Sequence, residues 1–171
     1  RRDDADAYIK RQEVVRLHVA EIGSGRAAER EDHPEDEREE YDDEQGRVAA
    51  RKAFRVFAES GYKVVIDLRT AGENRGLDEP AVVEALGMKY ISMPIGGPDI
   101  TFEKARELEA LLDSFDEPVL LHCASSNRVG ALLALSAYAD SGDPELAIEE
   151  GRRAGMRSQE RVVRDVISAG K

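Results

Sequence analysis

The sequence predicts an α/β fold, a mainly parallel sheet flanked by helices. Three observations carry that expectation. Short continuous apolar runs at 64–66 and 119–121 have the length and composition of strands buried on both faces. Segments of helical periodicity, each closed by glycine or opened by a capping residue, stand between the strand-like runs. The order helix–strand, repeated three times and followed by three helices, is that of layered α/β units rather than of separate helical and sheet blocks.

The compact domain is expected over 45–171, preceded by a charged N-terminal segment, 1–44. Within that segment, Val15, Leu17 and Val19 alternate with Arg16 and His18 as in a strand. The surrounding Ala, Glu and Arg favour helix instead, and both readings stand. Residues 29–44 are almost free of apolar side chains, so they are expected to form a solvated or disordered acidic connector. Val48–Ser60 reads as a helix with Phe54, Phe57 and Ala58 on one face and Gly61 as its stop. A strand at Val64–Ile66 runs into Asp67-Leu68-Arg69-Thr70. Glu79–Leu86 is a helix stopped by Gly87, and Lys89–Met93 is a second strand. Thr101 is placed to cap a helix whose apolar face is Phe102, Ala105, Leu108, Leu111, Leu112 and Phe115. After the strand at 119–121, Val129–Tyr138 is apolar nearly all round, as a central helix is. Asp143-Pro144 opens another helix, and Ser158 the last, with Val162, Val163, Val166 and Ile167 inward.

Charge and cysteine count exclude several classes. A net charge of −11 gives no general attraction for nucleic acid, whose binding depends on Lys and Arg at phosphates. The single cysteine, Cys123, cannot form an internal disulfide or a Cys-rich metal site, and His18, His33 and His122 lack ligand spacing. No metal or cofactor is expected. No run approaches the roughly 20 apolar residues of a membrane span. The opening Arg1-Arg2-Asp3-Asp4 is not a secretory leader, which together with the lone cysteine points to the cytoplasm.

The chemistry concentrates at 122–130, His-Cys-Ala-Ser-Ser-Asn-Arg-Val-Gly. This segment leaves the C-terminal end of a buried strand, where open α/β sheets bind ligands. It enters a helix N-terminus, whose unpaired N–H groups and dipole favour anions. Ala124, Ser125 and Ser126 are small enough to let the backbone curl into a nest of amides. Arg128 adds a planar fork suited to two phosphate oxygens. The same positive field favours a thiolate at Cys123, a nucleophile aimed at a bound anion.

The segment HC-x4-R-x-G after VLL resembles the His-Cys-x5-Arg-Ser/Thr signature of the cysteine-dependent phosphatase superfamily, one residue shorter. It is similar to a bacterial branch of dual-specificity/tyrosine-phosphatase-like fold that carries the short Cys-x4-Arg loop. FRVFAESGYKVVIDLR and GENRGLDEPAVVEALGMKYISMPI extend the resemblance over roughly 45–140. It implies a dual-specificity-phosphatase-like fold and a phosphorylated protein or small phosphate ester as substrate. It further implies that Cys123 forms a phosphocysteine. Arg128 and the amides of 124–128 would hold the equatorial oxygens, and His122 would orient and acidify the cysteine. In such phosphatases the general acid is an Asp on the loop after the preceding strand, here Asp99 in Gly96-Gly97-Pro98-Asp99; a turn-capping role competes for it. Asp67 is a rival acid whose alternative is an ion pair with Arg69. Arg69 and Arg75 read as surface charge or ion pairs before substrate ligands. Val129 stands where the larger family has Ser or Thr, which implies slow breakdown of the intermediate or a substitute hydroxyl at Ser125 or Ser126.

Two other readings are open. VVIDLRTAGE resembles the Ile-Asp-Val-Arg-Thr-x-x-Glu opening of rhodanese-type sulfurtransferases, whose six-residue loop carries a persulfide on cysteine. Their Gly-His-Ile-x-Gly-Ala segment is missing here. The third reading is a phosphate-binding module with impaired turnover.

Overall fold

The computed structural model describes residues 18–21 and 35–170. Four strands form one parallel sheet: β1 (His18–Glu21), β2 (Val64–Asp67), β3 (Lys89–Ser92) and β4 (Val119–Cys123). Their spatial order is β1-β4-β2-β3. The helices are α1 (Glu35–Glu59), α2 (Glu79–Ala85), α3 (Phe102–Leu112), α4 (Asn127–Ser141), α5 (Pro144–Arg153) and α6 (Glu160–Ala169). A 3₁₀ turn at Gly97–Asp99 lies between β3 and α3. The expected α/β architecture, a parallel sheet flanked by helices, is the one observed.

The sheet separates two apolar clusters, and strand alternation decides which residue joins which. On one face, Val65 and Leu120 pack with Ala50 and Phe54 of α1, Val83 of α2 and Met88. On the other, Val64, Ile66, Val119, Leu121 and Cys123 pack against α3, α4, α5 and α6. Central strands β2 and β4 are buried throughout, as their apolar runs require, whereas the edge strand β3 is partly exposed. Phe54 is fully buried, worth about 1.5–3 kcal/mol by the usual burial scale. Helix α4 is buried from Val129 to Ala137, which explains its apolar character on all sides. Capping follows the sequence: Thr101 Oγ1 accepts from the Lys104 N–H, and Asp143 accepts from the Glu145 and Leu146 N–H groups.

Two expectations about the N-terminal part change. The acidic stretch is helical from Glu35, so α1 begins well before Val48 and 35–44 are helix rather than a disordered connector; residues 29–34 lie outside the described residues. Pro34 precedes the helix, and the run of acidic residues falls at its electropositive end, which favours helix despite the lack of apolar residues. For the second ambiguous stretch, the described part, His18–Glu21, is a strand. It pairs with β4 in the register His18–Leu120 to Glu21–Cys123. The sheet thus takes one strand from before residue 45, where the sequence reading begins the domain.

Candidate active site

Cys123 ends β4 and is fully buried. The chain then turns through Ala124-Ser125-Ser126 into α4. Ser126 takes the left-handed conformation at φ 57°, uncommon for a residue with a side chain, which lets the loop close in so few residues. The first α4 hydrogen bond runs from the Gly130 N–H to the Ser126 carbonyl. The amides of Asn127, Arg128 and Val129 are therefore left over from the helix ladder, as at any helix start. Cys123, the turn at 124–126 and Arg128 follow one another from the end of β4 into the start of α4.

Two packing contacts hold that loop from behind. A Cβ on Gly155, itself at φ 94°, would stand 2.5 Å from Ser126 Cβ. A Cβ on Gly130 would stand 2.5 Å from the Gly151 carbonyl oxygen, so the glycine of the signature serves the close approach of α4 to α5. The Asn127 side chain is engaged within the protein. Its Oδ1 accepts from the Arg157 and Ser158 N–H groups at 2.7 and 2.8 Å, and its Nδ2 donates to Ser125 Oγ at 3.1 Å. The side chain ties the loop to 157–158.

Arg128 is gripped. Its Nη1 and Nη2 donate to Glu73 Oε1 and Oε2, both at 2.6 Å, and Nη1 also donates to the carbonyls of Ile95 (3.0 Å) and Leu68 (3.4 Å). The Glu73 hydrogen bonds raise the Arg128 pKa above its ordinary value, against some opposition from burial, and Cys123 contributes in the same direction. Reciprocally, Arg128 holds the Glu73 carboxyl down to about 2, with burial opposing and Thr70 assisting. Glu73 is the site residue that motif reading passed over. Its only sequence signal was membership of the DLRTAGE string that resembles rhodaneses.

The His122 ring departs from the role implied for it. Alternation along β4 sends it to the sheet face opposite Cys123, against Phe54. There its Nε2 lies 2.8 Å from Glu79 Oε1, while Nδ1 has no partner among the described residues. Its link to the loop is main-chain: the His122 carbonyl accepts from the Leu68 N–H at 2.9 Å, and the Leu68 carbonyl faces Arg128.

Asp67 is fully buried at the end of β2 and is an ion-pair anchor. It accepts from Arg69 Nε at 2.9 Å and Nη2 at 3.0 Å, from Arg75 Nε at 3.1 Å, and from the Tyr90 hydroxyl at 2.8 Å. Burial pushes its carboxyl up, but hydrogen bonds from Arg69 and the charges of His122 and Arg69 bring it to about 2. Arg69 also donates to Glu79. Asp67, Glu79 and His122 place three ligand-type atoms within 4.8 Å of one another, a cluster that sequence spacing did not reveal. The Arg69 guanidinium bonds both carboxylates and already supplies the positive charge that they require.

Asp99 lies in the turn before α3, partly exposed. Its Oδ2 accepts from the Gly96 N–H at 2.8 Å, the capping role that competed with catalysis for it. Oδ1 enters no hydrogen bond among the described residues. The turn borders the cradle, because the Ile95 carbonyl is an Arg128 acceptor.

The chain is similar to known proteins in sequence and in fold. The family described as "Beta-lactamase hydrolase-like protein, phosphatase-like domain" matches residues 47–140. A beta-lactamase hydrolase-like protein of Xylella fastidiosa is 34% identical over 91 residues, 51% of this chain and 21% of that protein. One from Agrobacterium fabrum is 29% identical over 101 residues, 57% of this chain and 23% of that protein. The chain thus spans about a fifth of the length of these relatives. Among solved structures, a candidate phosphatase of Neisseria meningitidis Z2491 superposes with TM-score 0.58 at 17% identity, covering 68% of this chain and 87% of that one. A kinase associated phosphatase with its catalytic cysteine replaced by serine gives 0.54 at 22%, covering 70% and 78%. At such identities these structures speak for the fold. The family match covers more than half of the sequence, and the chain belongs to the phosphatase-like domain family of beta-lactamase hydrolase-like proteins.

Proposed function

We propose that this chain is a phosphoric monoester hydrolase of the tyrosine/dual-specificity type, working through a phosphocysteine on Cys123. The observation that carries the reading is the pairing of Cys123 at a strand end with Arg128 in the first turn of α4, around amides that the helix leaves unused. An anion bound there meets a nucleophile, a fork and a helix dipole together. The Cys123 thiolate attacks phosphorus as the P–O ester bond breaks, and Asp99 gives its proton to the leaving oxygen. Water then attacks phosphorus, Asp99 takes the water proton, the P–S bond breaks and the thiolate returns. Ala124, Ser125, Ser126, Asn127 and Arg128 contribute their backbone amides to the equatorial oxygens. No cofactor enters these steps. The substrate is a phosphorylated protein or a small phosphate ester.

Membership of a phosphatase-like family favours phosphoryl over sulfur transfer for the same loop. The test is phosphate release from p-nitrophenyl phosphate beside thiocyanate formation from thiosulfate and cyanide. The wild type is expected to release phosphate, and both Cys123→Ser and Arg128→Lys to lose at least ~10²-fold in kcat/KM, since Lys cannot copy a bidentate grip. Cysteine-dependent thiocyanate formation without phosphate release would replace the reading by a sulfurtransferase. Phosphopeptide binding retained in Cys123→Ser, with no turnover by either protein, would replace it by a binding module.

A further inference from the structure

The Arg128 guanidinium has five N–H donors along two usable edges, an end formed by Nη1 and Nη2 and a side formed by Nε and Nη2. Glu73 occupies the end, one carboxylate oxygen on each terminal nitrogen. The second Nη1 proton faces the Ile95 and Leu68 carbonyls. What remains is Nε–H with one Nη2–H, the side-on pair whose spacing suits two oxygens of a phosphate. No carboxylate or carbonyl among the described residues takes these two donors, and the Cys123 side chain lies within hydrogen-bonding reach of the same guanidinium.

Glu73 is itself anchored. Its Oε1 accepts from the Thr70 N–H at 2.7 Å and the Thr70 hydroxyl at 3.0 Å. The loop carrying both is rooted at Asp67, where Arg69 and Arg75 converge, and Arg75 Nη2 also donates to the Arg69 carbonyl. A carboxylate so fixed can aim what it holds, which a solvated counter-ion cannot.

We propose that Glu73 is a positioning residue: it holds the end of the Arg128 guanidinium so that the Nε–Nη2 side faces an oxyanion bound over Cys123. The inference deepens the phosphatase reading and rests on it for its kinetic consequence. A simple charge partner would do the opposite, weakening anion binding by neutralising Arg128.

The full chain and its Glu73→Gln variant decide between these roles. The first readout is the ratio of Cys123 alkylation rates by iodoacetate, an anion guided by Arg128, and by neutral iodoacetamide. The second is the inorganic phosphate concentration that protects Cys123 from iodoacetamide. A positioning role lowers the ratio about 10-fold and raises the protecting concentration by a similar factor. In p-nitrophenyl phosphate hydrolysis it lowers kcat by about 10- to 100-fold with KM changed by less than ~3-fold, the pattern of a misaimed transition-state contact. An unchanged or higher ratio in a folded variant overturns the proposal. Should Glu73→Gln fail to fold, Thr70→Val keeps the carboxylate and loosens its anchor; a smaller shift in the same direction is then expected, and no shift overturns it. If the wild type releases no phosphate from any ester, the phosphatase reading fails while the alkylation ratio still decides the role of Glu73.

Discussion

Asp99 closes the turn it sits in, and that bond constrains how it could act. With Oδ2 engaged by the Gly96 N–H, the proton for a leaving group would travel on Oδ1. A phenol leaving group, with a pKa near 10, needs that proton far more than p-nitrophenol does. Asp99→Asn is therefore expected to lower kcat on phenyl phosphate by ~10²–10⁴-fold while p-nitrophenyl phosphate suffers much less. Equal losses on the two esters, measured in parallel steady-state assays, would leave Asp99 with its capping role alone. Cys123 and Arg128 were legible in the sequence because one short loop holds both. Glu73 was not, because its partner lies 55 positions further along the chain and the intervening topology alone brings them together. The His122 ring was misplaced because the motif says which residue precedes the cysteine, whereas strand alternation says which face it takes.

Among the elements, the α4–α5 contact bears most directly on the loop. Gly130 and Gly151 let the two helices approach until backbone meets backbone. Gly130→Ala would push a methyl against the Gly151 carbonyl and the Met156 backbone, neither of which can rotate away. A loss of about 1–3 kcal/mol in urea unfolding is expected, with weakened phosphate protection of Cys123 because α4 carries the cradle. A variant as stable as wild type would mean that the helices separate freely. Strand runs and caps were legible at this scale: Thr101 and Asp143 cap the helices assigned to them. The early start of α1 was not, since a charged run without apolar residues has no periodicity to read.

For the whole molecule, Asp67, Arg69, Glu79 and the His122 ring form one buried polar network on the α1–α2 side of the sheet. Asp67 has a folded pKa of about 2 against an ordinary 3.8, so its contribution is present in full above pH 4 and is lost as pH falls toward 2. The linked stability is on the order of 2 kcal/mol. Urea midpoints should therefore drop between pH 5 and pH 2.5 in the wild type, and drop less in Asp67→Asn; parallel slopes would assign the acid loss elsewhere. Arg69→Ala leaves two buried carboxylates without their common cation, at a cost of about 3–5 kcal/mol by thermal or urea unfolding. The fold class was legible at this scale from the order of elements. The strand order β1-β4-β2-β3 was not, because a buried strand's sequence does not name its neighbours.

The pairing of β1 with β4 sets a timetable for the chain. During synthesis β1 emerges before the other three strands, yet its register partners, Leu120 to Cys123, are made only after β2 and β3 have appeared. Until then the sheet cannot close around the strand that carries the nucleophile. A polypeptide beginning at residue 45 would never close it: β4 would become an open border of the sheet, its amides available to a second molecule, with Cys123 at the end of that border.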